Sequence, residues 1–144
     1  MKEFLDIALN TAETKGADYA DIRISRHKNQ SIRTREERIQ GISNSESYGF
    51  GVRVLVDGTW GFAASHRLTK NNVANITMRA LDIARANRVV QRIPIRLAEV
   101  ESYEDQWSSP IKKDPFQVPV NDKIDLLLTV NAEALKVKGA KYCS

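Results

Sequence analysis

Two histidines, one cysteine, a pair of adjacent glutamates and one Gly-x-Gly are the features of this 144-residue chain whose residue types could do chemistry. His27 and His66 would be metal ligands or general bases. Neither has a His, Cys or carboxylate at ligand spacing on a shared helix face. His27 follows a strand-like run beside Lys28, and His66 stands just before Arg67. The competing reading makes both surface histidines near loops. Cys143, next to the last residue, is a poor candidate nucleophile. Glu36-Glu37 could be an acid/base pair, but neighbours in a strand point to opposite faces and could not share one substrate atom. Gly49-x-Gly51 precedes a strand-like run rather than a helix, so it lacks the helix N-terminus that a phosphate loop needs. Ser43, Ser45, Ser47 and Ser65 have no histidine–acid context. No catalytic, cofactor-binding or metal-ligating residue is therefore expected in this chain.

The elements around these residues are readable from their periods. Phe4, Leu5, Ala8, Leu9 and Ala12 recur at helical spacing over 2–15, and Lys15-Gly16 closes that helix. Ala20, Ile22 and Ile24 alternate with Asp21, Arg23 and Ser25, the period of a half-buried strand. Residues 30–40 read as a solvated strand pairing with it. Thr69 can cap a helix running to about Asn87, with Val73, Ile76, Ala80, Ile83 and Ala84 as its buried stripe. Arg88 to Glu99 alternates only partly and contains Pro94, which suits an edge strand or an extended connector. Residues 100–119 read as a proline-containing polar connector anchored by Trp107. A third helix begins near Asn121, with Ile124, Leu127, Leu128, Asn131 and Leu135 on one face and Lys138-Gly139 closing it.

The strongest local signal is Tyr48 to Ala64. Asp57-Gly58 between two β-rich runs is the sequence of a two-residue type I′ turn, because both turn positions need positive φ. That turn sets Val56 opposite Thr59, Leu55 opposite Trp60, Val54 opposite Gly61, Arg53 opposite Phe62 and Val52 opposite Ala63. One face carries Phe50, Val52, Val54 and Val56 beside small partners, leaving room for a helix. The other carries Leu55, Trp60 and Phe62, with Arg53 able to lie over the Phe62 ring. Bulky apolar groups on both faces make Leu55, Trp60 and Phe62 the candidate interface.

The expected fold is α+β. A mainly antiparallel sheet with a central β-hairpin is packed by two long helices, and a third helix lies near the C-terminus. The element order reads α-β-β-β-β-α-(β)-loop-α. Residues 1–99 form an N-terminal domain, 100–119 a connector, and 120–144 a helix plus the start of a following element. Composition is that of a globular protein, with 42% hydrophobic and 28% charged residues. No run of about 18 apolar residues could span a membrane. A single cysteine and the absence of a signal-peptide pattern suit a cytoplasmic protein. The net charge of +4 is concentrated in Arg79, Arg85, Arg88, Arg92 and Arg96. A phosphate-binding patch is one reading. A solvated helix end, with Arg85 and Arg88 near the negative pole of the dipole, is the other, and no aromatic or glycine pattern accompanies the arginines.

Two segments resemble a known family. Gly16-Ala17-Asp18-Tyr19-Ala20-Asp21-Ile22-Arg23 is similar to the opening of TldD/PmbA proteins. Gly51-Val52-Arg53-Val54-Leu55-Val56-Asp57-Gly58-Thr59-Trp60-Gly61-Phe62-Ala63 resembles their hairpin. Arg38, Gly49, Trp107 and Asp114-Pro115 add weaker echoes, and the likeness is nearer the TldD than the PmbA branch. It implies the N-terminal domain of a zinc-dependent peptidase, some of whose members are called modulators of DNA gyrase, that processes or degrades small unfolded peptides. It also implies homo- or heterodimers with a TldD/PmbA-like subunit. The family's zinc ligands lie downstream, in a His-Glu-x-x-x-His helix and a later cysteine, so zinc is expected in a C-terminal domain beyond this chain. The chain is thus expected to be an incomplete protein, inactive alone, with a peptide as substrate and neither membrane nor nucleic acid as partner. The alternative is a stand-alone interaction module binding a protein partner or nucleic acid.

Overall fold

Asp57 and Gly58 take φ of 49° and 74°, and the turn they form joins the two strands at the centre of the fold. A computed structural model describes residues 1–99 and 101–144; Val100, where the connector was expected to begin, lies outside the described residues. Helix α1 spans Lys2–Thr14. Strands β1 (Tyr19–Arg35), β2 (Arg38–Val56) and β3 (Thr59–Ser65) form an antiparallel sheet in that order. Helix α2 spans Lys70–Asn87, a 3₁₀ turn covers Pro115–Gln117, and helix α3 runs Val120–Leu135. The architecture is α+β.

The chain divides into two compact units, one of residues 1–27 and 47–101, the other of residues 28–46 and 102–144. In the first, the β2–β3 register is the one the turn dictates, Val56 opposite Thr59 through Val52 opposite Ala63. Phe50, Val52, Val54, Val56 and Ala63 are buried with Val73, Ile76, Ala80, Leu81 and Ala84 of α2 and Ala8 and Ala12 of α1. Each fully buried valine or leucine contributes about 1.5–3 kcal/mol. The fit is closest at Gly61, where an added Cβ would lie 1.9 Å from the Ala80 carbonyl oxygen and 2.7 Å from the Ala84 nitrogen. Helix α2 starts where expected, with the Thr69 hydroxyl accepting from the Asn72 amide at 3.4 Å. Leu81 joins the buried stripe, whereas Ile83 is half-buried. Beyond α2 no strand forms in 88–99. Residues 88–90 form a turn, and the irregular connector beyond it is tied down where the Ile95 amide donates to the Gly58 carbonyl at 2.8 Å.

The second unit corrects the reading of residues 26–46. Instead of two short strands, β1 runs unbroken to Arg35 and β2 starts at Arg38, so Glu36-Glu37 is a turn and not strand interior. Among the described residues the sheet has three strands, not four. Glu36 holds φ of 54°, uncommon for a non-glycine residue. Tertiary bonds secure it: its amide donates to the Cys143 carbonyl at 2.8 Å, and its carbonyl accepts from Asn131 Nδ2 at 2.9 Å. Asn131, buried on α3, also donates to Thr34 Oγ1 at 3.1 Å and accepts from Cys143 Sγ at 3.2 Å. Trp107, expected as an anchor, is 78% exposed. The aromatic rings that find cationic partners in this unit are Phe116, under Lys28 at 6.0 Å, and Tyr142, under Arg35 at 5.8 Å.

Candidate functional site

The outer face of the first unit's sheet, opposite α2, is an open trough of roughly 710 Å³. Alternation along β2 places Gly51, Arg53 and Leu55 on this face, and the hairpin register adds Trp60, Phe62 and Ala64 from β3. Strand β1 contributes Asp21, Arg23, Ser25 and His27.

Arg53 organises the floor. Its Nε and Nη2 lie 2.8 and 2.7 Å from Asp21 Oδ2, and this hydrogen bonding pushes the guanidinium further above its ordinary pKa. The same guanidinium lies over the Trp60 ring at 4.7 Å, not over Phe62 as its cross-strand position suggested. Tyr19 meets Trp60 edge-on, with ring centroids 5.8 Å apart. The three candidate interface residues therefore differ in state. Leu55 is buried, Trp60 is half-buried between Arg53 and Tyr19, and Phe62 is 58% exposed. The Phe62 ring leans over Gly51, where an added Cβ would lie 2.8 Å from it.

The histidines, far apart in sequence, both line this trough, with Ser47, Tyr48 and Ser65. Nothing in their local patterns signalled it, because only the sheet brings His27 and His66 to one trough. Ser65 is held away from a nucleophilic role: its hydroxyl accepts from Asn72 Nδ2 at 2.8 Å and from the Arg67 amide at 3.2 Å. A catalytic zinc needs three protein ligands. No group of three His, Cys, Asp or Glu residues converges among the described residues, so the donors present do not fit that metal.

Two arginines of the basic cluster have structural partners. Arg85 donates to the Lys15 carbonyl at 2.7 Å at the end of α1, and Arg88 pairs with Asp57 in the hairpin turn. Among the described residues no helix is long and apolar enough to cross a membrane.

Residues 20–87, which carry the trough and α2, match the family model described as PmbA/TldA metallopeptidase domain 1. A metalloprotease of Methanocaldococcus jannaschii is 26% identical over 111 residues, 77% of this chain and 25% of that protein. A zinc metalloprotease TldD homolog of Saccharolobus solfataricus is 32% identical over 65 residues, 45% of this chain and 14% of that protein. Among solved structures, a proposed modulator of DNA gyrase from Bacteroides thetaiotaomicron aligns with a TM-score of 0.66 at 19% identity. That alignment covers 96% of this chain and 31% of the other. TldE from Thermococcus kodakarensis aligns at 0.60 and 14% identity, over 94% and 28%. At these identities the structural likeness is one of fold. The chain spans about a quarter of the length of the M. jannaschii relative.

Proposed function

We propose that this chain belongs to the PmbA/TldD metallopeptidases, whose first-domain model matches residues 20–87, and that it is the N-terminal, non-catalytic portion of a zinc-dependent peptidase that processes or degrades small unfolded peptides. The observation that carries the reading is the family match across the sheet and α2. A catalytic zinc needs three protein ligands, and the proposal assigns that centre to sequence outside this chain. On this reading the first unit is a scaffold. Its inner face is filled by its own helices, and the exposed Phe62 ring beside half-buried Trp60 is what remains for another polypeptide to cover. Pairing with a TldD/PmbA-like subunit, as homo- or heterodimer, and residence in the cytoplasm belong to the same proposal.

The test is a graft. Residues 1–144 replace the matching quarter of the M. jannaschii metalloprotease, with that parent as control. The expected result is chelator-sensitive cleavage of an unstructured peptide by the chimera and none by the 144-residue chain alone. A folded chimera that cleaves nothing under conditions where its parent does would contradict the proposal.

A further inference from the structure

Two glycines give the trough its floor. Gly49 and Gly51 lie on β2, the central strand, and their missing side chains leave a bed between the residues of β1 and β3. Arg23, Ser25 and His27 form the β1 wall. Phe62, Ala64 and, just past β3, His66 form the other. All of them belong to the first unit. The lining is cationic. Asp21 is its one carboxylate, and both of its oxygens face arginines: Oδ2 takes Arg53 at 2.7 Å, and Oδ1 lies 4.0 Å from Arg23 Nε. The Arg23 side chain is 80% exposed, so this one long contact leaves most of its N–H donors open to a ligand. Neither imidazole has a hydrogen-bond or ion-pair partner among the described residues. Ser65 Oγ already accepts from Asn72 Nδ2 and from the Arg67 amide, which leaves its own proton to be donated. What the trough has in surplus is donors and positive charge, beside an aromatic ring.

We propose that the trough binds a small aromatic phosphate monoester, its ring against Phe62 and its phosphate over the glycine bed between Arg23 and His66. Neighbouring strands lie about 4.8 Å apart, so the two walls stand about 10 Å from each other. Arginine and histidine side chains on opposite walls can close that span over one phosphate. A phosphate monoester brings close to two negative charges and three acceptor oxygens, and arginine is the side chain suited to such a group. Carboxylates offer one charge and two oxygens, a poorer match to donors on both walls. An uncharged aromatic ligand would leave the cations without a counter-charge. The ring has its own partner in Phe62, which leans over Gly51 and is 58% exposed, and offset aromatic pairs add to the burial of their surfaces. At roughly 710 Å³ the trough has the size of a small-molecule site.

This site goes beyond the peptidase reading and does not rest on it, since the chimera's cleavage and the trough's binding are measured separately. The probe is 2-naphthyl phosphate, which is fluorescent and carries both groups, titrated into the 144-residue chain. Its uncharged counterpart is 2-naphthol. Saturable binding with a Kd of about 1 mM or tighter is expected, with 2-naphthol weaker by about tenfold or more. Bound probe is expected to shift the amide resonances of Gly49, Gly51 and His66. Arg23→Gln removes a charge-assisted hydrogen bond at an exposed position and is expected to weaken binding by about tenfold. Phe62→Ser removes the ring and is expected to weaken it by about fivefold. His66→Gln lies outside the strands, is expected to act in the same direction, and serves if either of the others misfolds. Absence of saturable binding, equal affinity for 2-naphthol, shifts confined to residues outside the trough, or wild-type affinity in the folded variants would each overturn the proposal.

Discussion

A Cβ on Gly61 would lie 1.9 Å from the Ala80 carbonyl oxygen, so these two residues mark where β3 and α2 touch backbone to backbone. The contact exists because the hairpin register sets Gly61 opposite Val54, a large residue beside none. Gly61→Ala is expected to push the helix off the sheet and to lower stability by about 1–3 kcal/mol or more, the range of overpacked cores. Urea denaturation checks it. An unchanged midpoint would mean that α2 does not sit on β3 this closely.

Thr59 is 1% exposed, and its hydroxyl has no hydrogen-bond partner among the described residues. A buried, unmade hydrogen bond costs about 1–3 kcal/mol. Thr59→Val keeps the shape and strand preference while removing the polar atom, so a rise in stability of roughly 1 kcal/mol is expected. A fall of similar size in the same titration would show that the hydroxyl is satisfied.

Asn131 holds the Glu36 turn from 95 residues away in sequence. Asn131→Leu would strand the Glu36 carbonyl and the Thr34 hydroxyl, a loss of about 2 kcal/mol confined to the second unit. The direct readout is hydrogen exchange at the Glu36 amide, which donates to the Cys143 carbonyl. Exchange there is expected to accelerate in the variant. An unchanged rate would mean that the turn holds without Asn131.

That turn also shows where the sequence stops being legible. Asp57-Gly58 could be read because positive φ selects those residue types locally, and with it came the register and the two faces of the hairpin. Thr69 could be read because a cap and its helix are neighbours in sequence. Glu36-Glu37 carries no turn residue at all. Its positive φ is enforced by Asn131 and Cys143, so the true lengths of β1 and β2 were not visible in 26–46. The outer face of the sheet was half legible for the same reason. Leu55, Trp60 and Phe62 follow from the hairpin alone, whereas His27, Asp21 and Arg23 join them only through β1. The choice of Trp60 over Phe62 by Arg53 depends on Asp21, which anchors the guanidinium from the neighbouring strand.

The central claim, that this chain supplies scaffold and not the metal centre, is tested most directly by its zinc content. The purified 144-residue chain is loaded with zinc, dialysed, and analysed by mass spectrometry. The donors are two exposed histidines in the trough, a cysteine whose thiol donates to Asn131, and carboxylates that do not converge with them. A catalytic site needs three protein ligands around one ion. The expected result is no stoichiometric zinc after dialysis. Retention of stoichiometric zinc that disappears in His27→Ala or His66→Ala would contradict the account and place a metal site in the trough itself.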